Sequence, residues 1–196
     1  MGEFSTNSRE GKPFESKWNK KFSLLDEKQR EVSFLPWVFP WLEAKVVLDL
    51  ACGAGRNSFY LKNRSCDVLP VDGSRAGLHK LQELYGIKDH WLVDLEEKNS
   101  IEALQNLPEF KAVLSSFYKP SREVLQYLSS LNPELVIVLG TFSENQEGFS
   151  KRFCFDRELF EWLESHFRIL LHREGACEEG RVRLCVFSPK TSSNRN

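Results

Sequence analysis

The stretch Val46-Val47-Leu48-Asp49-Leu50-Ala51-Cys52-Gly53-Ala54-Gly55-Arg56-Asn57 constrains this chain more than any other. A short, branched apolar run closes on an aspartate, and two glycines follow with one residue between them. Ser58, Phe59, Tyr60 and Leu61 then begin a helical pattern. That order describes a buried strand, a tight turn and a helix N-terminus, a combination that lets a ligand lie against bare backbone. The remaining strands should extend outward from this one.

The chain after it alternates. A helix at about 56–63 is followed by Val68-Leu69-Pro70-Val71-Asp72, a second apolar run closing on an aspartate, and Gly73-Ser74 supplies a turn and an N-cap for a helix to Tyr85. His90-Trp91-Leu92-Val93 ends in Asp94, and a helix at 99–106 comes next. Phe110 to Ser116 reads as a strand, Ser121 to Ser130 as a helix, and Leu135 to Leu139 as a fully buried central strand. A polar loop at 143–151 leads to a helix from Asp156 to His166. Two last runs, Phe167 to Arg173 and Val182 to Ser188, have no helix between them and should pair as an antiparallel hairpin. The expected fold class is therefore α/β, a three-layer, doubly wound, mostly parallel seven-stranded sheet with a C-terminal antiparallel hairpin, Rossmann-like.

Residues 1–12 and 190–196 are polar and are expected to be disordered tails around a single domain at 13–189. Within it, 13–45 should form a helical cover. Phe14, Trp18 and Phe22 recur at i, i+4 and i+8 on one helical stripe, which suits either a core-covering flap or a lid over a ligand. Residues 26–34 resemble a second helix. Pro36-Trp37-Val38-Phe39-Pro40-Trp41-Leu42 reads as an aromatic linker whose prolines block a long helix.

Lys+Arg of 27 against Asp+Glu of 28 gives no electrostatic case for nucleic acid or an anionic membrane as partner. No apolar run approaches the roughly 20 residues needed to span a bilayer, and the expected location is the cytoplasm. The five cysteines (Cys52, Cys66, Cys154, Cys177, Cys185) show neither a CxxC pair nor metal-ligand spacing, so they read as reduced thiols, and no metal is expected. Cys52 reads as a small buried spacer.

Asp49, Asp72 and Asp94 stand at the ends of three successive strands, where a doubly wound sheet binds its ligands. An acid at the end of the second strand can accept both hydroxyls of a ribose, and Asp94 can take an adenine amino group with Leu95 packed on the ring. A dinucleotide fingerprint needs a glycine or alanine three residues after Gly55, where Ser58 stands, and a phosphate loop needs a Gly-Lys-Ser/Thr that is missing. Asp49 suits an amino group better than a pyrophosphate. A cationic, adenosine-bearing amino acid fits these demands, which points to S-adenosylmethionine as cofactor.

Val47 to Ser58 resembles the first motif of small class I S-adenosylmethionine-dependent methyltransferases, and its Gly-Arg-Asn-Ser ending is similar to the tellurite-resistance branch. The resemblance continues through Trp18-Asn19-Lys20-Lys21-Phe22, Val71-Asp72-Gly73-Ser74, Asp94-Leu95, and Leu131-Asn132-Pro133 leading into Gly140-Thr141-Phe142. It implies a cofactor site of Asp49, Ala51, Gly53, Gly55, Asn57, Asp72, Gly73, Ser74, Asp94 and Leu95, with Ser115 and Ser116 bordering the sulfonium. The chain departs from the branch where Glu134-Leu135 replaces a glycine pair, and in a short loop after Phe142.

Methyl transfer from a sulfonium needs alignment and exclusion of water more than a fixed triad. Trp18, Phe22, Phe117, Tyr118 and Phe142 are candidates for an aromatic substrate wall, and Tyr118, His172 and Arg173 for a base at the mouth. Ser115-Ser116-Phe117-Tyr118 stands where an Asn/Asp-Pro-Pro-aromatic run would mark methylation of base amino groups, which favours a small-molecule acceptor. A non-catalytic cofactor-binding or partner-binding module of the same fold, and a methyltransferase acting on protein or RNA, are the alternatives. The oligomeric state is not encoded in any motif.

Overall fold

The computed structural model describes residues 13–148 and 150–190, with the side chains of 13–16 outside the description. Five parallel strands form most of one sheet: β1 (Val46–Leu50), β2 (Asp67–Asp72), β3 (Trp91–Leu92), β4 (Ala112–Ser116) and β5 (Val136–Phe142). β6 (Phe167–Cys177) and β7 (Gly180–Pro189) complete it as an antiparallel hairpin, and β7 also pairs antiparallel with β5. The order across the sheet is β3-β2-β1-β4-β5-β7-β6. Chain direction across the sheet reverses between β1 and β4, so the crevice at their carboxyl ends is the switch point where such sheets bind ligands.

The period of two sorts the strand residues onto two cores. Leu48, Leu50, Val113, Ile137 and Leu139 face one side, with Val124, Leu125 and Leu128 of helix α6 (Arg122–Leu131) and Leu159 and Leu163 of helix α7 (Arg157–His166). Val47, Leu114 and Val138 face the other, with Tyr60 and Leu61 of helix α3 (Arg56–Lys62). Helix α4 (Arg75–Tyr85) packs Leu78, Leu81 and Tyr85 beside Cys52 in a smaller cluster, and helix α5 is the short segment Ser100–Gln105. Ser74, Ser121 and Asp156 each accept a backbone N–H at the start of α4, α6 and α7; the sequence marks Ser74 and Asp156 as caps, whereas Ser121, expected as the first helical residue, is the cap of α6. Each such cap contributes about 1 kcal/mol.

The cover departs from expectation. Helix α1 (Pro13–Ser23) forms, although the Phe14 side chain lies outside the described residues. Residues 26–34, expected to be helical, run as an irregular segment, and the expected linker is instead helix α2 (Leu35–Leu42). Pro36 sits in its first turn, where a missing N–H costs nothing, and Pro40 removes one bond from an eight-residue helix. Burial of Leu35, Val38 and Leu42 at 0% exposure, worth roughly 2 kcal/mol each, outweighs that loss. The hairpin is also longer than expected. Its strands run on to Cys177 and Gly180, leaving only Glu178 and Glu179 in the turn. Polar residues in that extension hid it from an apolar count.

The tails expected at 1–12 and 190–196 lie outside the described residues except for Lys190, whose Nζ donates to the carbonyls of Glu164 and Ser165 at the end of α7. No described helix is long and apolar enough to cross a membrane.

Candidate cofactor and acceptor site

The turn after β1 is left-handed at three residues: Ala51 (φ 60°), Gly53 (φ 59°) and Gly55 (φ 90°). Gly55 starts α3, and a Cβ there would lie 1.9 Å from a Leu81 methyl. Ala51 holds the same region without being glycine, at a cost of about 1 kcal/mol. The turn is closed by the Gly55 N–H donating to the Cys52 carbonyl (3.0 Å) and tied to β2 by the Cys52 N–H donating to Val71 (3.0 Å). Cys52 is buried and its thiol is pushed well up, first by burial and then by Asp72 and Asp49, so it is the inert spacer its position suggested.

Two carboxyl groups lie beneath this turn. Asp49 is 0% exposed, and its Oδ2 accepts the Ser58 hydroxyl at 2.5 Å, while its Oδ1 has no hydrogen-bond partner among the described residues. Burial pushes its pKa to about 7, reinforced by Asp72 and opposed by Ser58 and Arg56. Asp72 accepts the Gly53 N–H through Oδ2 (2.8 Å) and the Ser74 N–H through Oδ1 (2.7 Å), yet burial still raises its pKa. Asp94 follows β3 at the next carboxyl end, and its Oδ1 accepts the Glu96 N–H at 3.0 Å. Gly73 lies against it, since a Cβ there would meet the Asp94 Cα at 3.3 Å.

These residues fit S-adenosylmethionine. The orphaned Asp49 oxygen asks for a cationic donor such as an amino acid's ammonium group. Each Asp72 oxygen has one lone pair left for a ribose hydroxyl. Leu95, buried beside Asp94, offers an apolar surface for a base.

Helix α1 lies across the same turn. The Phe22 ring stands so close over Gly53 and Gly77 that a Cβ at either would come within 2.8 Å or 3.0 Å of it. Asn19 Oδ1 accepts the Ser74 hydroxyl (2.7 Å) and the Ala76 N–H (3.1 Å), fixing α1 to the start of α4. Trp18 stacks on Phe22 at 5.8 Å, and Lys21 stands over Trp18. Burial, then Arg56 and Lys17, lower the Lys21 pKa.

On the other side of the switch point, Ser116 ends β4 and its Oγ accepts a 2.6 Å bond from Asn57 Nδ2. Phe117 follows with a strained φ of 56°, held by its N–H donating to Gly140 at 2.8 Å. Its ring lies 4.6 Å from that of Phe142 and 6.1 Å from that of Phe34, which covers Gly140. Arg56 reaches over Phe117 (5.9 Å) and to Glu179 (4.0 Å), and Glu179 accepts both the N–H and the hydroxyl of Ser33.

The substrate candidates thus fall into two groups, Trp18 and Phe22 over the glycine turn, and Phe117 and Phe142 at the ends of β4 and β5. Three other candidates are placed differently from expectation. Tyr118 is buried, its hydroxyl donates to the Leu95 carbonyl (3.4 Å), and burial beside Asp94 and Asp72 pushes its pKa far up, so it is no base near neutral pH. His172 lies on the edge strand β6, two strands beyond β5, stacked at 3.9 Å on Phe160 of α7 and with its pKa lowered by burial. Arg173 is exposed on that strand. Ser115 is fully buried and spends its proton on the Tyr118 carbonyl at 3.0 Å. Sequence reasoning missed Asn19, Ser33, Phe34 and Glu179. Asn19 stood in view inside the Trp18–Phe22 segment, but Glu179 meets Ser33 across 146 residues, with no local signal.

The family model described as Tellurite resistance protein TehB matches residues 18–115, half of the chain. No curated protein matches the sequence. Among solved structures, TehB from Haemophilus influenzae is 19% identical with a TM-score of 0.58, over 80% of this chain and 61% of that one. This chain therefore spans less than two thirds of that protein. A SAM-dependent methyltransferase from Anabaena variabilis is 15% identical with a TM-score of 0.64, over 90% of this chain and 93% of that one. A TehB-like SAM-dependent methyltransferase from Corynebacterium glutamicum is 16% identical with a TM-score of 0.54, over 90% of this chain and 96% of that one. Identities this low speak for the fold alone, which is the class I, Rossmann-like fold. The match from Trp18 to Ser115 takes in the glycine turn and all three aspartates, and by it the chain belongs to the tellurite resistance protein TehB family, with the fold of the SAM-dependent methyltransferases.

Proposed function

We propose that the chain transfers a methyl group from S-adenosylmethionine to a small-molecule acceptor. The observation that carries the reading is the buried oxygen of Asp49 beneath the glycine turn, which has no hydrogen-bond partner among the described residues. A carboxyl so placed is completed by a ligand that brings a cation. Asp72 and Asp94 on the next two strands supply acceptors suited to a ribose and a base. When bound, S-adenosylmethionine supplies an electrophilic methyl group, so that the acceptor's electron pair forms the new bond while the carbon–sulfur pair stays on sulfur, leaving S-adenosylhomocysteine.

The chain's own part is alignment and exclusion of water. The glycine turn and Asp72 fix the cofactor, Phe22 and Trp18 cover it, and Phe34, Phe117 and Phe142 close the acceptor side. Their close packing favours a small acceptor over a protein or RNA chain. With Tyr118 raised in pKa, His172 on the sheet edge and Arg173 exposed beside it, none of the three candidate bases is placed to take a proton, which favours a nucleophile that attacks without losing one. The family description makes tellurite the first acceptor to try.

Calorimetry with S-adenosylmethionine, S-adenosylhomocysteine and NAD tests the cofactor, with binding of the first two and not the third expected. Release of S-adenosylhomocysteine on adding tellurite, selenite, a thiol, a carboxylate or an amine then tests the acceptor. Folded protein that binds neither adenosyl compound would sink the reading.

A further inference from the structure

The two serines at the end of β4 are neighbours with opposite fates. Ser115 is sealed in the core with its proton given to a backbone carbonyl. Ser116 is half-buried, and among the described residues its only hydrogen bond is one it accepts, from Asn57. The direction of that bond is forced. Asn57 is 3% exposed, and the Val32 N–H, which can only donate, sits 3.0 Å from its side-chain oxygen. The oxygen of the amide is thereby fixed on Val32 and its NH2 on Ser116. A serine oxygen that accepts from a locked amide must turn its own proton away from it.

The bond also spans the place that matters. Asn57 lies in the first turn of α3, directly after the glycine turn, and Ser116 ends the strand across the switch point, opposite Gly140 of β5. Phe117, next in sequence, carries the strained backbone and the aromatic contacts of the acceptor side.

We propose that Asn57 is a positioning residue that holds the Ser116 hydroxyl as a ready hydrogen-bond donor to an oxygen of the methyl acceptor, an inference that rests on the methyl-transfer reading. Ser116 keeps its proton throughout. It orients the acceptor so that the attacking lone pair faces the methyl carbon, and no bond to serine is made or broken.

The test uses the complex of the full chain with S-adenosylhomocysteine, titrated with sodium tellurite by calorimetry at pH 8. Asn57→Asp is the discriminating variant. A carboxylate still accepts the Val32 N–H, but it also captures the Ser116 proton, reversing the bond without removing it. Asn57→Asp and Ser116→Ala should each weaken tellurite binding about five- to ten-fold, the loss of one such bond, with a matching fall in kcat/KM. Ser116→Thr, which keeps the hydroxyl, should bind tellurite more tightly than Ser116→Ala, a rescue that a merely structural role would not give. Should Asn57→Asp fail to fold, the alanine and threonine pair at Ser116 decides alone. Equal tellurite binding across the variants, or none by the unmodified complex, overturns the proposal. Failure to bind S-adenosylhomocysteine at all overturns the methyl-transfer reading instead.

Discussion

The two ends of the sheet treat buried charge in opposite ways. At the hairpin end, Arg183 is 8% exposed and fully engaged. It donates twice to Glu174 (2.7 and 3.1 Å), to Glu144 (3.3 Å) and to the Phe155 carbonyl (3.2 Å), while Glu174 also accepts from Ser143 and Arg181. Under the glycine turn, Asp49 and Asp72 are as deeply buried, and neither forms an ion pair with a described residue. One end has completed its own electrostatics and holds a loop and a hairpin together. The other leaves a carboxyl oxygen without a hydrogen-bond partner among the described residues. We read a buried carboxyl that no described residue completes as one kept for a ligand.

The contrast can be broken at either end. Removing Arg183 with Arg183→Met should cost about 3 kcal/mol in urea unfolding, because Glu174 and the Phe155 carbonyl lose their buried donor. Cofactor affinity should scarcely move, and a large loss of affinity with little loss of stability would erase the difference between the two ends of the sheet. The reverse pattern is expected of Asp72→Asn, which should weaken S-adenosylmethionine binding by about 2 kcal/mol in calorimetry through loss of charge-assisted bonds.

The two ends should also respond oppositely to pH. Glu174 is held down at about 2 from an ordinary 4.5, first by Arg183, so its contribution to stability is present above about pH 4.5 and is lost as pH falls toward 2. Asp49 is raised from 3.8 to about 7, so the folded state holds its proton more tightly than the unfolded chain. Its effect on stability is therefore most favourable below about pH 4, declines as pH rises, and is flat above 7. If the ionised carboxylate pairs with the cofactor's ammonium, affinity for S-adenosylmethionine should rise about ten-fold from pH 6 to 8, with Asp49→Asn flattening the profile. The smallest effect is local. Ala51→Gly should relieve the left-handed strain in the turn and raise stability by about 0.5–1 kcal/mol in the same urea experiment.

What the sequence made legible follows the same division. The glycine turn, the three aspartates and the caps at Ser74 and Asp156 were readable because each is marked by a local pattern, an apolar run closing on an acid or a small polar residue at the head of a helix. Helix α2 was hidden because local propensity argued against a Pro-containing octapeptide, while burial of Leu35, Val38 and Leu42 decided the outcome. His172 followed a strand pattern that gave its chemistry but not its distance from β4. The Asn57–Ser116 bond joins residues 59 apart, and neither residue type announces a partner. Helix and strand could be read along the chain, whereas the acceptor side is assembled from contacts that cross it.

The placement of β7 has a consequence for how the molecule is made. β7 follows the six other strands in sequence, yet it lies between β5 and β6. During synthesis β5 therefore emerges with the backbone groups of Val136 to Phe142 open on one edge, and they stay open until residues 180–189 have left the ribosome. That edge borders one of the most apolar runs in the chain, and it is the place where a stalled or truncated product would associate with its neighbours.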